Sequence, residues 1–233
     1  MKTLGLIGGM SWESTAIYYR LLNEGARARL GGLHSASLLM RSFDFAQIEA
    51  MQSAGDWAAA DAALVEAGRR LTQAGADALV ICANTMHRCA PAIEASGAAP
   101  LIHIADATAA ALKAAGVGRP ALFATRYTME EPFLRERIAE KADAEIIIPS
   151  KDHRDAIHRV IYEELCRGVV SPASKRAFLK IVEDVRKDGA DGVILGCTEI
   201  GMLLKAGDID LPLFDTAAIH VEACLDYALG GAR

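Results

Sequence analysis

Short apolar runs of strand length alternate along the whole chain with longer segments whose apolar positions recur at helical spacing. Thr3–Ile7, Ser35–Met40, Ala78–Ile81, Leu101–Ile102, Ala121–Ala124, Glu145–Ile148, Gly192–Leu195 and Leu213–Phe214 read as strands, with helices between them. Asp56–Ala74 is the strongest helical segment, rich in alanine and followed by Gly75 where a helix stop belongs. Ala173–Lys187 reads as its twin. Strand and helix in strict alternation describe an α/β fold, a mostly parallel sheet covered by helices.

The pattern is also duplicated. Residues 75–85 (Gly-Ala-Asp-Ala-Leu-Val-Ile-Cys-Ala-Asn-Thr) and 189–199 (Gly-Ala-Asp-Gly-Val-Ile-Leu-Gly-Cys-Thr-Glu) align without a gap, placing Ala83 with Cys197, Asn84 with Thr198 and Thr85 with Glu199. In each copy a helix end leads into a buried strand that gives way abruptly to small polar residues. In open α/β sheets the carboxyl edge of the strands is where ligands bind. Gly116-Val-Gly-Arg-Pro120 is the best internal boundary, since it ends a helix and precedes Ala-Leu-Phe-Ala-Thr, an echo of the opening Leu-Gly-Leu-Ile-Gly-Gly. The expectation is two pseudo-symmetric parallel-sheet α/β lobes with the active site between them. Residues 1–116 would form the first lobe, completed by 209–233, and 117–208 the second.

Composition narrows the function classes. The chain has 233 residues and a formal net charge of −5 with its charges scattered, which argues against nucleic acid or an anionic membrane as partner and favours a small molecule. No apolar run approaches the length of a membrane span, and the start lacks the basic-then-apolar layout of a signal peptide, so the expected location is cytoplasmic. Five cysteines, Cys82, Cys89, Cys166, Cys197 and Cys224, suggest no paired framework, and in that compartment they would stay reduced.

A reduced thiol suits proton transfer. Its ordinary pKa near ~8.5 lets a modest shift make it a base, and its protonated form can donate. Inverting a carbon that bears an acidic hydrogen requires a base on one face and an acid on the other. Two duplicated lobes could supply one group each. Here the second copy supplies Cys197 and the first supplies Ala83.

Three segments carry a resemblance to a known family: Gly8-Gly-Met-Ser-Trp-Glu-Ser-Thr15, Cys82-Ala-Asn-Thr-Met-His87 and Gly196-Cys-Thr-Glu-Ile200. Phe214–His220 and Thr125–Met129 add to it, so that the match spans the whole length. The chain resembles the aspartate/glutamate racemases, the pyridoxal-independent amino-acid racemases. The likeness is to the branch that acts broadly or on L-aspartate and L-glutamate. It implies an isomerase in which Cys197 is the second-lobe acid/base. Met10, Gln52, Asn84, Thr85, Thr198 and Glu199 would by this resemblance surround the substrate; on chemical grounds Ser11 joins them at the carboxylate and Glu199 suits the ammonium. It also implies neither metal nor pyridoxal, and by analogy a homodimer.

Position 83 departs from the family pattern, which has cysteine there, or threonine in some members. Alanine moves no proton, and Cys82, one residue early in a strand, should point to the opposite face. Turnover could therefore be impaired or one-sided. The alanine could belong to a variant enzyme with another group on that face, to a one-thiol decarboxylase or lyase, or to a replacement that traps substrate. A catalytically silent amino-acid binder is the alternative from another class.

Other motifs read more plainly. Gly5-Leu-Ile-Gly8-Gly9 lacks dinucleotide spacing and better suits backbone amides approaching a carboxylate. Cys82, His87 and Cys89 match no zinc pattern. Arg41 and Arg126 follow strand ends and could meet a side-chain carboxylate, His87 follows the Asn-Thr cluster by one helical step and could orient a site group or pack at the lobe interface, and His103 and His220 sit where strands hand over to helices.

Overall fold

A parallel strand covered by helices on both faces has no polar side to show, so its sequence is apolar throughout. The computed structural model, which describes residues 1–230, follows this rule. It contains β1 (Leu4–Gly8), α1 (Trp12–Leu30), β2 (Leu38–Ser42), α2 (Phe45–Ala54), α3 (Trp57–Gln73), β3 (Ala78–Ile81), a 3-10 turn at Thr85–Cys89, α4 (Ala90–Ala95) and α5 (Ile104–Ala115). There follow β4 (Pro120–Phe123), α6 (Arg126–Glu130), α7 (Pro132–Ala142), α8 (Lys151–Glu163), α9 (Pro172–Lys187), β5 (Gly192–Leu195), α10 (Ile200–Leu203), β6 (Leu213–Asp215) and α11 (Thr216–Leu229). Every residue of β1, β3, β4 and β5 is buried.

The chain divides into two compact units, Met1–Ile104 with His220–Arg233, and Ala105–Ile219. The last three positions of the 209–233 segment lie outside the described residues.

In the first unit the sheet order is β2-β1-β3, all parallel, with Leu6 opposite both Met40 and Val80. One further parallel bridge, Leu79 to Leu101, extends it past β3. In the second unit the order is β4-β5-β6, with Ile194 opposite both Leu122 and Phe214, and a parallel bridge from Ala121 to Ile147 extends it past β4. Counting each bridge as a rudimentary strand, both sheets run second-first-third-fourth in chain order. The duplication in sequence is thus a duplication of topology, and β3 and β5 occupy equivalent central places.

Leu101–Ile102 and Glu145–Ile148 form only these single bridges, where strands were expected. Pro100 and Pro149 border them, and a proline has no N–H to extend a ladder. The Leu79 amide donates to Pro100 O at 2.9 Å and Ile102 returns a bond to Leu79 O at 3.0 Å, after which the chain turns into α5. Strand β2 begins three residues later than Ser35, because the Ala36 amide is taken by Asn23 Oδ1 at 3.1 Å rather than by a neighbouring strand.

Helices α3 and α9 are capped as their sequences suggest. Asp56 accepts from the Ala59 amide at 3.0 Å, and Ser171 accepts from Ala173 at 3.2 Å. Each is followed by a glycine in left-handed backbone, Gly75 at φ 102° and Gly189 at φ 94°, which reverses the chain into its strand. On α3, Ala60, Leu64, Ala67 and Leu71 face inward and pack with Ile7, Leu79, Ile81 and Met86 into the core of the first unit. No helix of the described residues is long and apolar enough to cross a membrane.

Candidate functional site

The order second-first-third-fourth creates a crevice at the carboxyl ends of the first and third strands, because their connections leave towards opposite sides of the sheet. In the first unit that place lies between the exits of β1 and β3. The Cys82 amide donates to Ile7 O at 2.9 Å, so the two strands separate immediately beyond it. In the second unit the equivalent bond runs from Gly196 to Phe123 O at 2.7 Å. Ala83 and Cys197 are the next residues in each, at matching corners of matching sheets.

The β1 exit in the first unit is built for close approach. Gly9 has φ 82°, and a Cβ there would lie 2.2 Å from Phe43 O. Its amide donates to Thr15 Oγ1 at 2.8 Å, and Thr15 in turn donates to Ser11 O at 3.0 Å. Ser11 caps α1 through the Ser14 amide at 3.2 Å. Ser14 Oγ then donates to Cys82 O at 2.7 Å, tying the start of α1 to the end of β3. Met10, Ser11, Gln52, Ala83 and Asn84 are all buried, and Thr85 is half-buried. Gln52 reaches the 3-10 turn, where its Nε2 lies 2.9 Å from Met86 Sδ.

At the β5 exit, Cys197, Thr198 and Glu199 are buried together. The Cys197 thiol donates to Glu199 Oε2 at 3.0 Å, and the Thr198 hydroxyl donates to the same oxygen at 2.5 Å. Burial pushes the Cys197 thiol well above its ordinary pKa, and the negative charge of Glu199 adds to that shift. The resting thiol is therefore protonated. Nearby, Thr125 caps α6 by accepting from the Thr128 amide at 3.4 Å.

Asp215, the last residue of β6, lies in the Phe214–His220 segment that carries part of the resemblance but is not among the candidate site residues. It is held by the Ala217 and Ala218 amides at 3.0 and 3.2 Å, and burial raises its pKa. Its signal was its place, a carboxylate between an apolar run and a helix start.

Other candidates are placed as follows. Cys82 is fully buried inside the first unit with its Sγ 4.0 Å from Val80 O, and Cys224 is buried on α11. Arg41 is exposed, bonded to Ser42 O at 2.6 Å and laid over the Phe43 ring. Arg126 is exposed, 3.9 Å from Asp155, and its amide donates to His158 Nδ1 at 3.3 Å. His87, His103 and His220 cluster in the first unit, with His87 4.7 Å from His103 and 5.6 Å from His220 between ring centroids. Among the described residues no group of three or more His, Cys, Asp or Glu side chains is arranged to hold a metal ion.

Comparison with known proteins decides the family. The model of the Asp/Glu/Hydantoin racemase family matches residues 7–224. The chain belongs to this family. A Yersinia pestis protein assigned as an Asp/Glu racemase is 50% identical, with a TM-score of 0.92 over 98% of this chain and 100% of that one. An aspartate racemase homologue from Pyrococcus horikoshii is 31% identical, with a TM-score of 0.87 over 98% of this chain and 100% of the other. The aspartate racemase of Picrophilus torridus, at 20% identity and a TM-score of 0.73 over 99% and 95% of the two chains, shares the fold. Membership in the Asp/Glu/Hydantoin racemase family supports an isomerase of racemase type and an amino acid as its small-molecule substrate.

Proposed function

We propose that the chain is a cofactor-independent amino-acid racemase for aspartate- or glutamate-like substrates, with Cys197 moving the α-proton and turnover made one-sided by Ala83. The observation that carries this reading is the Cys197 thiol aimed at the buried Glu199 carboxylate, at the corner of the second sheet that duplicates the corner occupied by Ala83 in the first.

The chemistry follows from that contact. A thiol whose proton is held by a carboxylate resists becoming a thiolate, and the pair keeps that proton in place to deliver. With the proton on sulfur, Cys197 donates to a carbanion. When the substrate ammonium pairs with Glu199 and offsets its charge, the thiol gives up its proton to solvent more readily, and the sulfur accepts the α-proton of an amino acid. The anionic Glu199 also suits the substrate ammonium. Ser11, Asn84 and Thr85, with the amides beyond Gly8, supply donors for the substrate carboxylate, whose negative charge grows as the α-proton leaves, and Thr198 joins them when its hydroxyl turns from Glu199 to the substrate. Met10 and Gln52 complete the binding set. Neither pyridoxal nor a metal enters these steps.

A second reading, a one-thiol decarboxylase or lyase, is favoured specifically by the buried methyl of Ala83, which offers no proton on its face. Proton NMR of L-glutamate and L-aspartate incubated with the protein in D2O, followed by chiral chromatography, tests both readings. Loss of the α-proton signal much faster than the D-enantiomer appears is the expected outcome and marks Cys197 as carrying the exchange on one face. Accumulation of the D-enantiomer would show that another group replaces the first-unit base. Absence of exchange for both amino acids would overturn the racemase reading in favour of the lyase or of a silent binder.

A further inference from the structure

Four residues after Ala83, the side chain of His87 turns back towards the strand end from which its own 3-10 turn departs. Its Nδ1 lies 2.8 Å from the Ala83 carbonyl oxygen, and the Ile104 backbone N–H donates to its Nε2 at 3.3 Å. Those two backbone groups fix the proton on the ring. An amide N–H can only donate, so Nε2 is bare; a carbonyl can only accept, so the ring proton sits on Nδ1. An imidazolium would set a second N–H against that of Ile104. The ring is buried, with 1% of its surface exposed, so bulk solvent does not reach it to ease such a clash.

His220 carries the opposite tautomer. Its Nε2 donates to Ile102 O at 2.8 Å, and its Nδ1 accepts from the Tyr18 hydroxyl at 2.8 Å. The two histidines therefore grip one short segment, Ile102 to Ile104, which is the last of the first unit before the chain passes into the second.

We infer that His87 is a positioning residue, whose Nδ1–H tautomer fixes the carbonyl of residue 83, and with it Asn84 and Thr85, against the Ile102–Ile104 segment that His220 anchors. The need is physical. A 3-10 turn has poorer internal hydrogen-bond geometry than an α-helix, so bonds from outside the five-residue turn add to what holds it. The inference rests on the proposed function in one respect, that position 83 belongs to the site.

The test separates the two bonds. His87→Asn keeps a donor near the place of Nδ1, His87→Gln reaches towards Ile104 with an acceptor, and His87→Phe keeps the ring volume with neither. For α-proton exchange, His87→Phe and His87→Gln are expected to lose about 10- to 100-fold in kcat with KM changing by less than about threefold, and His87→Asn to recover most of the loss. Equal rates for the Asn and Gln variants, or losses that simply follow melting temperature across all three, would overturn the inference. Independently of turnover, long-range proton–nitrogen NMR of 15N-histidine-labelled protein should show His87 protonated on Nδ1 alone between about pH 6 and pH 8. An Nε2–H tautomer or an imidazolium in that range would overturn it as well. If the unaltered protein exchanges no substrate proton, the functional reading falls while this one is still decided. The same variants are then compared in an Ala83→Cys background by the iodoacetamide alkylation rate of that thiol, with the same ranking expected and the same equality overturning it.

Discussion

At position 83 a buried methyl group occupies the corner that holds a thiol in the other half of the chain. The backbone there is equivalent, since the amides before Ala83 and Cys197 make the same bond to the first strand of their own sheets. Ala83→Cys should therefore place a thiol in a ready-made position and raise the rate of D-enantiomer formation by about 100-fold or more, the usual worth of a positioned acid or base. Chiral chromatography of the reaction measures it, and an unchanged rate would count against a role for this corner. At the second corner, the charge of Glu199 is one cause of the raised Cys197 pKa. Glu199→Gln removes that charge while keeping an acceptor oxygen, so the thiol pKa should fall. The pH profile of Cys197 alkylation, followed by peptide mass mapping, should then move to lower pH. A profile that stays put would detach Glu199 from the thiol. Cys197, Asn84 and Thr85 could be singled out in sequence because small polar residues interrupt an apolar run. The hydrogen bond from Cys197 to Glu199 could not, since nothing in the spacing says that the chain leaves the strand at Gly196, and only the turn after β5 lets Cys197 and Thr198 reach the same carboxylate oxygen.

At the scale of elements, helix α11 shows how one segment takes its stability from partners distant in sequence. Its His220 is fully buried between Tyr18 of α1 and the Ile102 carbonyl, and burial depresses its pKa from 6.5 to about 4. In the unfolded chain the same imidazole takes up a proton below about pH 6.5, whereas the folded protein does so only near pH 4. Its contribution to stability is therefore complete above pH 6.5 and is lost as the pH falls to about 4. The slope is about 1.4 kcal/mol per pH unit, for about 3 kcal/mol in all. Urea midpoints at pH 7 and pH 4.5 should show this loss, and His220→Gln should reduce it; an unaltered pH dependence in the variant would place the loss elsewhere. Elements with a strong local signature were legible from sequence. Strands β3 and β5 fall where the apolar runs lie, and α3 runs from its Asp56 cap to the glycine that stops it. Leu101–Ile102 and Glu145–Ile148 were not, because their hydrophobicity resembles that of a strand while the adjoining prolines leave room for a single bridge.

Over the whole molecule, alternating strand and helix, the aligned Gly-Ala-Asp copies and the scattered charges were enough to set the α/β class, the duplication and a small-molecule partner. Those properties follow from local rules: side-chain periodicity selects strand or helix, a glycine permits the reversal, and burial on both faces demands an unbroken apolar run. Tertiary structure alone decided the strand order second-first-third-fourth in each sheet. It is this order, with connections diverging at the first and third strands, that puts Ala83 and Cys197 at equivalent strand exits. It alone also decided the histidine tautomers and the partner of the Cys197 proton. Each depends on which backbone carbonyl, amide or carboxylate folding brings within 3 or so ångströms, roughly hydrogen-bond reach, and no spacing along the chain encodes that distance.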